Sequence, residues 1–571
     1  MFKLLKNLRK REIILIIICF ILVCGQVWLE IEMPEYMSEI TMLVETPGSK
    51  MNDILQNGMS MVFCALFSLI LSVIVGFITS EISAKFSMSI RRNLFKKITE
   101  LDSNDVEKIT VSSLVIRSTN GITQIQMISS MGLQLILKAP IMTIMLVVKF
   151  WQNDWKWGVF ATLSMMIINL VISLIMIIVL PRYKKMQEST DRLNNVLKEK
   201  IRGIHVVKSF DAEEFEEEKF ENINLELTGI QLKNQKSLAI KTPLLYLAMY
   251  WSVLGIYFAG AYVIKNAFTV DKLEIYGDII VLASYVMQVI AIFLMLSNII
   301  SLIPRAKVSA NRINEVLDRK VKIKNGNIKD IKGGINKIEF KNVSFKYYDS
   351  KEYILKDISF EVNSGESLIV FGNIGSGKTT IINLLLRFFD VDSGEILIND
   401  INIKEYDKEF LYEKIAYIPQ KPVIFKNTLK SNILYGNNKK TSRFDKVVAL
   451  VDKDNNEKIL SKVISKNEIN LSMGQKQKIS IARAMMREPN VYIFDDAFSG
   501  MELTDEKEIL TKLKKNDNNA IVINILEENK NLEWADKILF LNNGNIIGFG
   551  THKELLENCE FYQETLSKEE M

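Results

Sequence analysis

Gly372-Asn373-Ile374-Gly375-Ser376-Gly377-Lys378-Thr379 decides the fold of the second half of this chain. These residues follow an apolar run, Ser367–Phe371, and lead into a helical pattern that starts at Lys378 and carries Thr380 in its first turn. Strand, glycine-rich loop and helix in that order form a phosphate cradle. Glycines let successive backbone N–H groups turn inward around an anion, and the helix N-terminus aims its partial positive charge at the same place. In this pattern the Lys378 ammonium reaches the β- and γ-phosphates and the Thr379 hydroxyl ligates Mg²⁺. Residues Gly372 to Thr380 are therefore the expected ATP-binding loop.

Working outward, Val491–Phe494 is a second apolar strand and ends in Asp495 and Asp496. A carboxylate at a strand end is what a nucleotide-bound Mg²⁺ requires, which makes Asp495 the expected metal partner, although such pairs also simply start turns. Upstream, Lys337–Phe340 and Ile358–Val362 are further short β-like runs. Their alternation with helical segments predicts an α/β domain around a parallel sheet over residues 337–571. Residues 318–336 are rich in Lys, Asn and Gly and are expected to be an exposed linker.

Residues 1–317 differ in kind. A bilayer core about 30 Å thick needs roughly 20 apolar helical residues to cross it. Six stretches qualify: about 12–29, 59–80, 131–151, 158–180, 243–264 and 278–303. Lys3 to Arg11, Arg91 to Lys97, Arg182 to Lys185, and Arg305 with Lys307 fall on one side of six crossings, so both termini are expected in the cytoplasm. The opposite side is expected to carry Glu30, Glu32, Glu35 and Glu39, together with Trp151, Trp155 and Trp157. No small-residue cleavage site follows the first stretch, so it is taken as a span rather than a leader. The long connections 81–130 and 181–242 have apolar residues at helical spacing. Lys138 lies inside a span, where an ionisable group is a functional candidate or else snorkels to the interface. Met165, Met166, Met176, Met249, Met287 and Met295 sit in spans and either line a tolerant cavity or pack against lipid.

A net charge of +5 spread over 571 residues, without a basic stripe, argues against nucleic acid. The four Cys residues have no metal or disulfide spacing.

Between the two ATP-site motifs stands Leu471-Ser472-Met473-Gly474-Gln475. It resembles the L-S-G-G-Q signature of the ATP-binding-cassette (ABC) ATPases. In that family the signature lies on a helical insertion and closes over the ATP of a second subunit. By the same resemblance Tyr347, in Ser344-Phe345-Lys346-Tyr347, is the aromatic that stacks on adenine. Gln420, in Ile418-Pro419-Gln420, is the residue that touches Mg²⁺ and faces the membrane domain. Thr119–Gln126, Lys138-Ala139-Pro140 and Gly203–Phe210 are similar to segments of bacterial multidrug-type half-transporters. The order of elements matches the type IV exporters. The resemblance implies a six-helix transmembrane domain followed by an α/β P-loop ATPase with a helical signature subdomain, placed in the cell membrane with ATP and Mg²⁺ as cofactors. Residues near 102–108 and 209–216 would then be coupling helices.

The chain also departs from the family. A catalytic Glu normally follows the metal-binding Asp; here that position is Asp496, one methylene shorter. The γ-phosphate switch His has no counterpart, because the chain has only His205 and His552 and the switch position falls at or near Glu527. The loop usually written S-A-L-D is Ser499-Gly500-Met501-Glu502, and Met473 replaces a signature glycine. His205 stands where the family usually has Arg. These departures resemble the hydrolysis-impaired member of a heterodimeric exporter, with a second ABC half-transporter as partner. A homodimeric exporter and a membrane-bound ATP-binding regulator remain open alternatives. The exported substrate is not legible in the sequence.

Overall fold

The computed structural model describes residues 2–153 apart from 7 and 47, isolated positions between 155 and 190, then 192–201 and 203–266. It continues with 271–300, 302–436 apart from 332 and 349, 443–451, 471–526 and 531–569. The chain divides into two compact units, Met1–Leu101 with Val106–Arg319, and Lys320–Met571 with Asp102–Asp105.

The first unit is built of long helices: α1 (Lys10–Glu45), α2 (Met51–Glu100), α3 (Val111–Gln152), α4 (Glu213–Asn266) and α5 (Asp271–Ile300). Among the described residues these five are long and apolar enough to cross a membrane. Five of the expected spans overlap them; the fourth, 158–180, lies outside the described residues apart from isolated positions. Two π-helical turns, Arg117–Gly121 and Ile128–Gly132, interrupt α3. Val27 and Ile31 of α1, Leu146 and Phe150 of α3, and Tyr285 and Val289 of α5 form a shared buried core. A further helix, α6 (Ile303–Leu317), opens with Pro in its first turn, where the missing N–H costs nothing. It buries Ala310, Ile313 and Val316 against Ile90, Leu94 and Ile122.

The structure corrects the expected position of the acidic residues. α1 does not end at Leu29 but runs unbroken to Glu45. It packs antiparallel on α2, with Arg11 within 3.8 Å of Glu81 and the Ser68 hydroxyl donating to Glu30 at 3.3 Å. Ser68 sits in the middle of the apolar run 59–80, so Glu30 stands beside apolar helix rather than beyond it. Partners make this position tolerable: the Lys138 ammonium pairs with Glu30 at 2.7 Å, and Lys149 pairs with Glu32 at 3.4 Å and Glu35 at 2.7 Å. Lys138 therefore points inward to a carboxylate instead of snorkelling. Buried ionic groups in a helical bundle are retained when each meets its opposite.

The second unit holds two sheets. A four-stranded antiparallel sheet has the order β2 (Leu355–Asn363), β1 (Lys337–Phe345), β4 (Ser393–Ile398), β5 (Ile401–Asn402). The larger sheet has the order β10 (Asn545–Gly550), β9 (Lys537–Asn542), β3 (Ser367–Gly372), β8 (Ile521–Leu526), β7 (Val491–Asp495), β6 (Ile415–Ile418). All its neighbours run parallel except β10, which pairs antiparallel with β9. Strands β3, β7 and β8 are buried along their whole length, as the continuous apolar runs of a helix-covered parallel sheet require.

The stretch 318–336 also differs from expectation. Ile323 and Ile335 are buried, the Gly326 N–H donates to the Tyr406 carbonyl at 3.1 Å, and the Asn327 N–H to the Glu405 carbonyl at 2.9 Å. Arg387, only 3% exposed, clamps it by donating to the carbonyls of Lys324 (2.8 Å) and Tyr406 (3.1 Å). Backbone hydrogen bonds hold this segment, and a polar composition gives no sign of them.

Candidate functional site

Because β3, β8 and β7 are parallel neighbours, Gly372 at the end of β3 and Asp495 at the end of β7 leave the same carboxyl edge, one strand apart. Ligands of open α/β sheets bind at that edge. From Gly372 the chain turns through the loop into α7 (Lys378–Leu385). Gly372 has φ +151°, and a Cβ there would stand 2.1 Å from the Leu541 carbonyl oxygen on β9. Only glycine fits so close to a neighbouring backbone. Asn373, Ile374, Gly375 and Thr379 are exposed, whereas Ser376, Gly377, Lys378 and Thr380 are buried. The Lys378 ammonium folds back onto the carbonyls of Gly372 (2.7 Å) and Asn373 (3.1 Å). The Ser376 hydroxyl is buried without a partner among the described residues. A cradle of inward backbone, one buried ammonium and one orphaned hydroxyl fits a phosphate chain, which would satisfy all three.

Tyr347 stands beside this loop. Its hydroxyl lies 3.3 Å from the Thr380 hydroxyl and accepts from the Asn383 amide at 3.3 Å. Its ring meets Phe345 and Phe389 edge-on, with centroids 5.1 and 5.2 Å away. The aromatic proposed for adenine is thus held against the first two turns of α7.

The two carboxylates occupy different settings. Asp495 is buried and accepts the Tyr417 O–H at 3.0 Å. Burial, with Asp495 beside it, pushes the Tyr417 hydroxyl well above the usual tyrosine pKa, so it stays a donor. Asp496 takes a left-handed backbone, φ +46°, and its N–H donates to the Ile525 carbonyl at 3.1 Å. Its carboxylate accepts from the exposed Gln420 amide at 3.1 Å. The structure therefore brings Gln420 and Asp496 together. Glu527 lies outside the described residues.

The signature residues cap the next helix. Ser472 is the N-cap of α8 (Met473–Met485), with its hydroxyl accepting from the Gln475 N–H at 3.2 Å and its own N–H donating to the Gln475 side chain at 3.0 Å. This reciprocal capping box fixes the helix start. Leu471 packs on the core beneath α8, while Met473 is 44% exposed. A Cβ on Gly474 would lie 2.7 Å from the Gly500 carbonyl oxygen. Gln477, wholly buried on the same helix, accepts from the Gly500 N–H at 3.2 Å and donates to the Ser499 hydroxyl at 3.5 Å. The signature helix is thus bolted to the segment Ser499–Met501 that follows the two carboxylates. Sequence reasoning missed Gln477 and Tyr417. Neither lies in a glycine pattern or at a strand end, and only contact across the fold singles them out.

Residues 355–499 match the ABC transporter family, and residues 15–293 match the ABC transporter transmembrane region. Together the two segments cover about three quarters of the chain. An uncharacterized ABC transporter ATP-binding protein of Bacillus subtilis is 29% identical over 514 residues, 89% of this chain and 88% of that protein. An ATP-dependent lipid A-core flippase of Haemophilus influenzae is 29% identical over 524 residues, 89% of this chain and 87% of the flippase. A solved bacterial Atm1-family ABC exporter with ATP bound superposes with a TM-score of 0.80 over 98% of both chains, at 21% identity.

Proposed function

This chain belongs to the ABC transporters, as an exporter half-transporter carrying membrane and ATPase regions on one polypeptide, and from that premise we propose that it pairs with a second, different half-transporter. In that pair its own loop holds ATP and hydrolyses it slowly. Its signature, through Ser472 and Gly474, serves the partner's site.

The carrying observation is the treatment of Asp496. At the position where this family places its hydrolytic Glu, the side chain is one methylene shorter and already engaged by Gln420. A general base displaced by about 1 Å can lose ~100-fold in rate. The supply of histidine supports the same reading. His205 belongs to the first unit, and His552 shares a 2.9 Å hydrogen bond with Tyr562.

The binding groups are all retained. Lys378, Ser376 and the loop N–H groups would hold the phosphates; Thr379, Asp495 and Gln420 would hold Mg²⁺; Tyr347 would support the adenine. Mg²⁺ held there would neutralise charge at the phosphates. The Lys378 ammonium rests on the loop carbonyls of Gly372 and Asn373, which hold it beside the loop N–H groups. Tyr417 orients Asp495, and Gln420 is shared with Asp496.

The test is ATP turnover by the purified chain with and without a co-purifying half-transporter. Alone, the chain is expected to bind ATP and turn it over about 100-fold more slowly than the pair. The double variant Asp496→Glu/Glu527→His should raise the rate of the chain alone at least about tenfold. A chain that reaches the paired rate without any partner would refute the proposal.

A further inference from the structure

Strand β6 is the parallel neighbour of β7, with Ile418 opposite Phe494. Gln420 lies two residues past Ile418, and Asp496 two residues past Phe494. The sheet register therefore brings the two side chains off its edge level with each other. The Asp496 backbone is fixed in turn: it takes φ +46°, and its N–H donates to the Ile525 carbonyl at 3.1 Å. Asp accepts a left-handed backbone more readily than most residues.

The contact between the two side chains can have only one sense. A carboxylate offers acceptors alone, so the Gln420 amide must turn its N–H₂ toward Asp496, which it does at 3.1 Å. The amide oxygen is the other branch of the same group and so is left uncommitted; among the described residues it accepts no hydrogen bond. Mg²⁺ is bound through oxygen, and an amide N–H₂ has nothing to offer it. A Gln420 side chain held by nothing would present either end. Tyr417, three residues before Gln420, gives its O–H to Asp495 at 3.0 Å. The end of β6 thus meets both carboxylates at the end of β7, one side chain to each.

We propose that Asp496 is a positioning residue: by holding the Gln420 N–H₂ it keeps the Gln420 oxygen available to the Mg²⁺ of the nucleotide. A carboxylate too short to serve as the hydrolytic base still has a task at this position. Groups that orient a metal ligand are typically worth about 10–100-fold in metal affinity. This role rests on reading the Gly372–Thr379 loop and Asp495 as an ATP and Mg²⁺ site. It requires no partner chain and no hydrolysis, so turnover measurements and the binding measurement below report on separate claims.

The experiment measures binding of the fluorescent analogue MANT-ATP to the full chain in lipid nanodiscs, once in excess Mg²⁺ and once in excess EDTA. The ratio of the two dissociation constants is the factor by which Mg²⁺ tightens the nucleotide. Gln420→Ala should cut this factor about tenfold, and Asp496→Gly about as much. Glycine adopts φ +46° without strain, so Asp496→Gly removes the acceptor and spares the backbone. In the Gln420→Ala background, Asp496→Gly should cost no more than about threefold, because the group it orients is gone. Asp496→Asn keeps an acceptor oxygen and drops the charge, and should lose less than Asp496→Gly. Equal losses from Asp496→Gly in both backgrounds would mean that Asp496 acts on Mg²⁺ through its charge alone, and would overturn the proposal. So would a Mg²⁺ factor unmoved by Asp496→Gly. A wild-type chain whose nucleotide Mg²⁺ does not tighten would overturn the metal-site reading along with it. MANT-ATP binding in EDTA shows that each variant is folded; where Asp496→Gly fails that check, the combination of Asp496→Asn with Gln420→Ala decides.

Discussion

Replacing Gly474 by Ala puts a methyl carbon 2.7 Å from the Gly500 carbonyl oxygen, where ordinary contact begins at 3.4 Å. One backbone or the other must yield by about 0.7 Å, an overpacking that typically costs about 1–3 kcal/mol. Neither side gives way freely. The Gly500 N–H is held by Gln477, the Met501 N–H donates to the Phe498 carbonyl at 2.9 Å, and the start of α8 is locked by its capping box. Gly474→Ala is therefore expected to lower Tm by roughly 2–10 °C for a unit of this size. Because Ser472 and Gly474 are proposed to serve the partner's hydrolysing site, a shift of the start of α8 approaches the displacement that costs ~100-fold in rate. ATP turnover of the assembled transporter should accordingly fall by about tenfold or more. Thermal melting in nanodiscs and steady-state ATP turnover check both expectations. Met473→Gly provides the contrast: Met473 is 44% exposed, so its removal should move Tm by about 1 °C or less. Wild-type Tm together with wild-type turnover in Gly474→Ala would show that α8 and the segment after Asp496 are not rigidly joined.

Two further outcomes follow from charges in the fold. Lys138→Met leaves the half-buried Glu30 with only neutral donors beside apolar helix, and should destabilise the chain by about 1–3 kcal/mol, whereas adding Glu30→Gln should recover most of the loss. A melting series of the two single variants and the double checks this, and strictly additive losses would contradict a direct pair. Burial works against the Asp536 carboxylate, but the Ser367 hydroxyl and N–H and the Lys514 ammonium outweigh it, and its pKa lies below the ordinary value. Its stabilisation is thus complete above an unfolded-state pKa of about 3.9 and fades as pH falls through the lower folded value. In urea melts the stability gap between wild type and Asp536→Asn should be flat from neutral pH to about pH 5 and shrink progressively below about pH 4; a gap undiminished at pH 3 would contradict this.

Much of the candidate site was legible from local patterns. The loop Gly372–Thr379 announces itself because glycine torsions, a lysine and a hydroxyl must recur at set spacing to wrap a phosphate. Asp495 followed from a strand end, and Ser472 and Gln475 turned out to stand three apart as a capping box demands. Other parts were not legible. Tyr417 looks like any strand residue until β6 pairs with β7 and brings its hydroxyl to Asp495. Gln477 looks like an exposed polar residue of a helix until Ser499 and Gly500 close over it.

The chain's apolar runs and its phosphate loop were determined by the sequence itself, since hydropathy over some 20 residues and torsion preference over eight are properties of neighbours along the chain. The depth of Glu30, the anchoring of 318–336 and the hold of Asp496 on Gln420 were decided only by the tertiary structure. Each depends on which residue of a distant helix or strand comes alongside, and that register is set by packing over the whole unit. A carboxylate that looked like the watery end of one helix became a half-buried ion-pair partner once α2 and α3 lay against it.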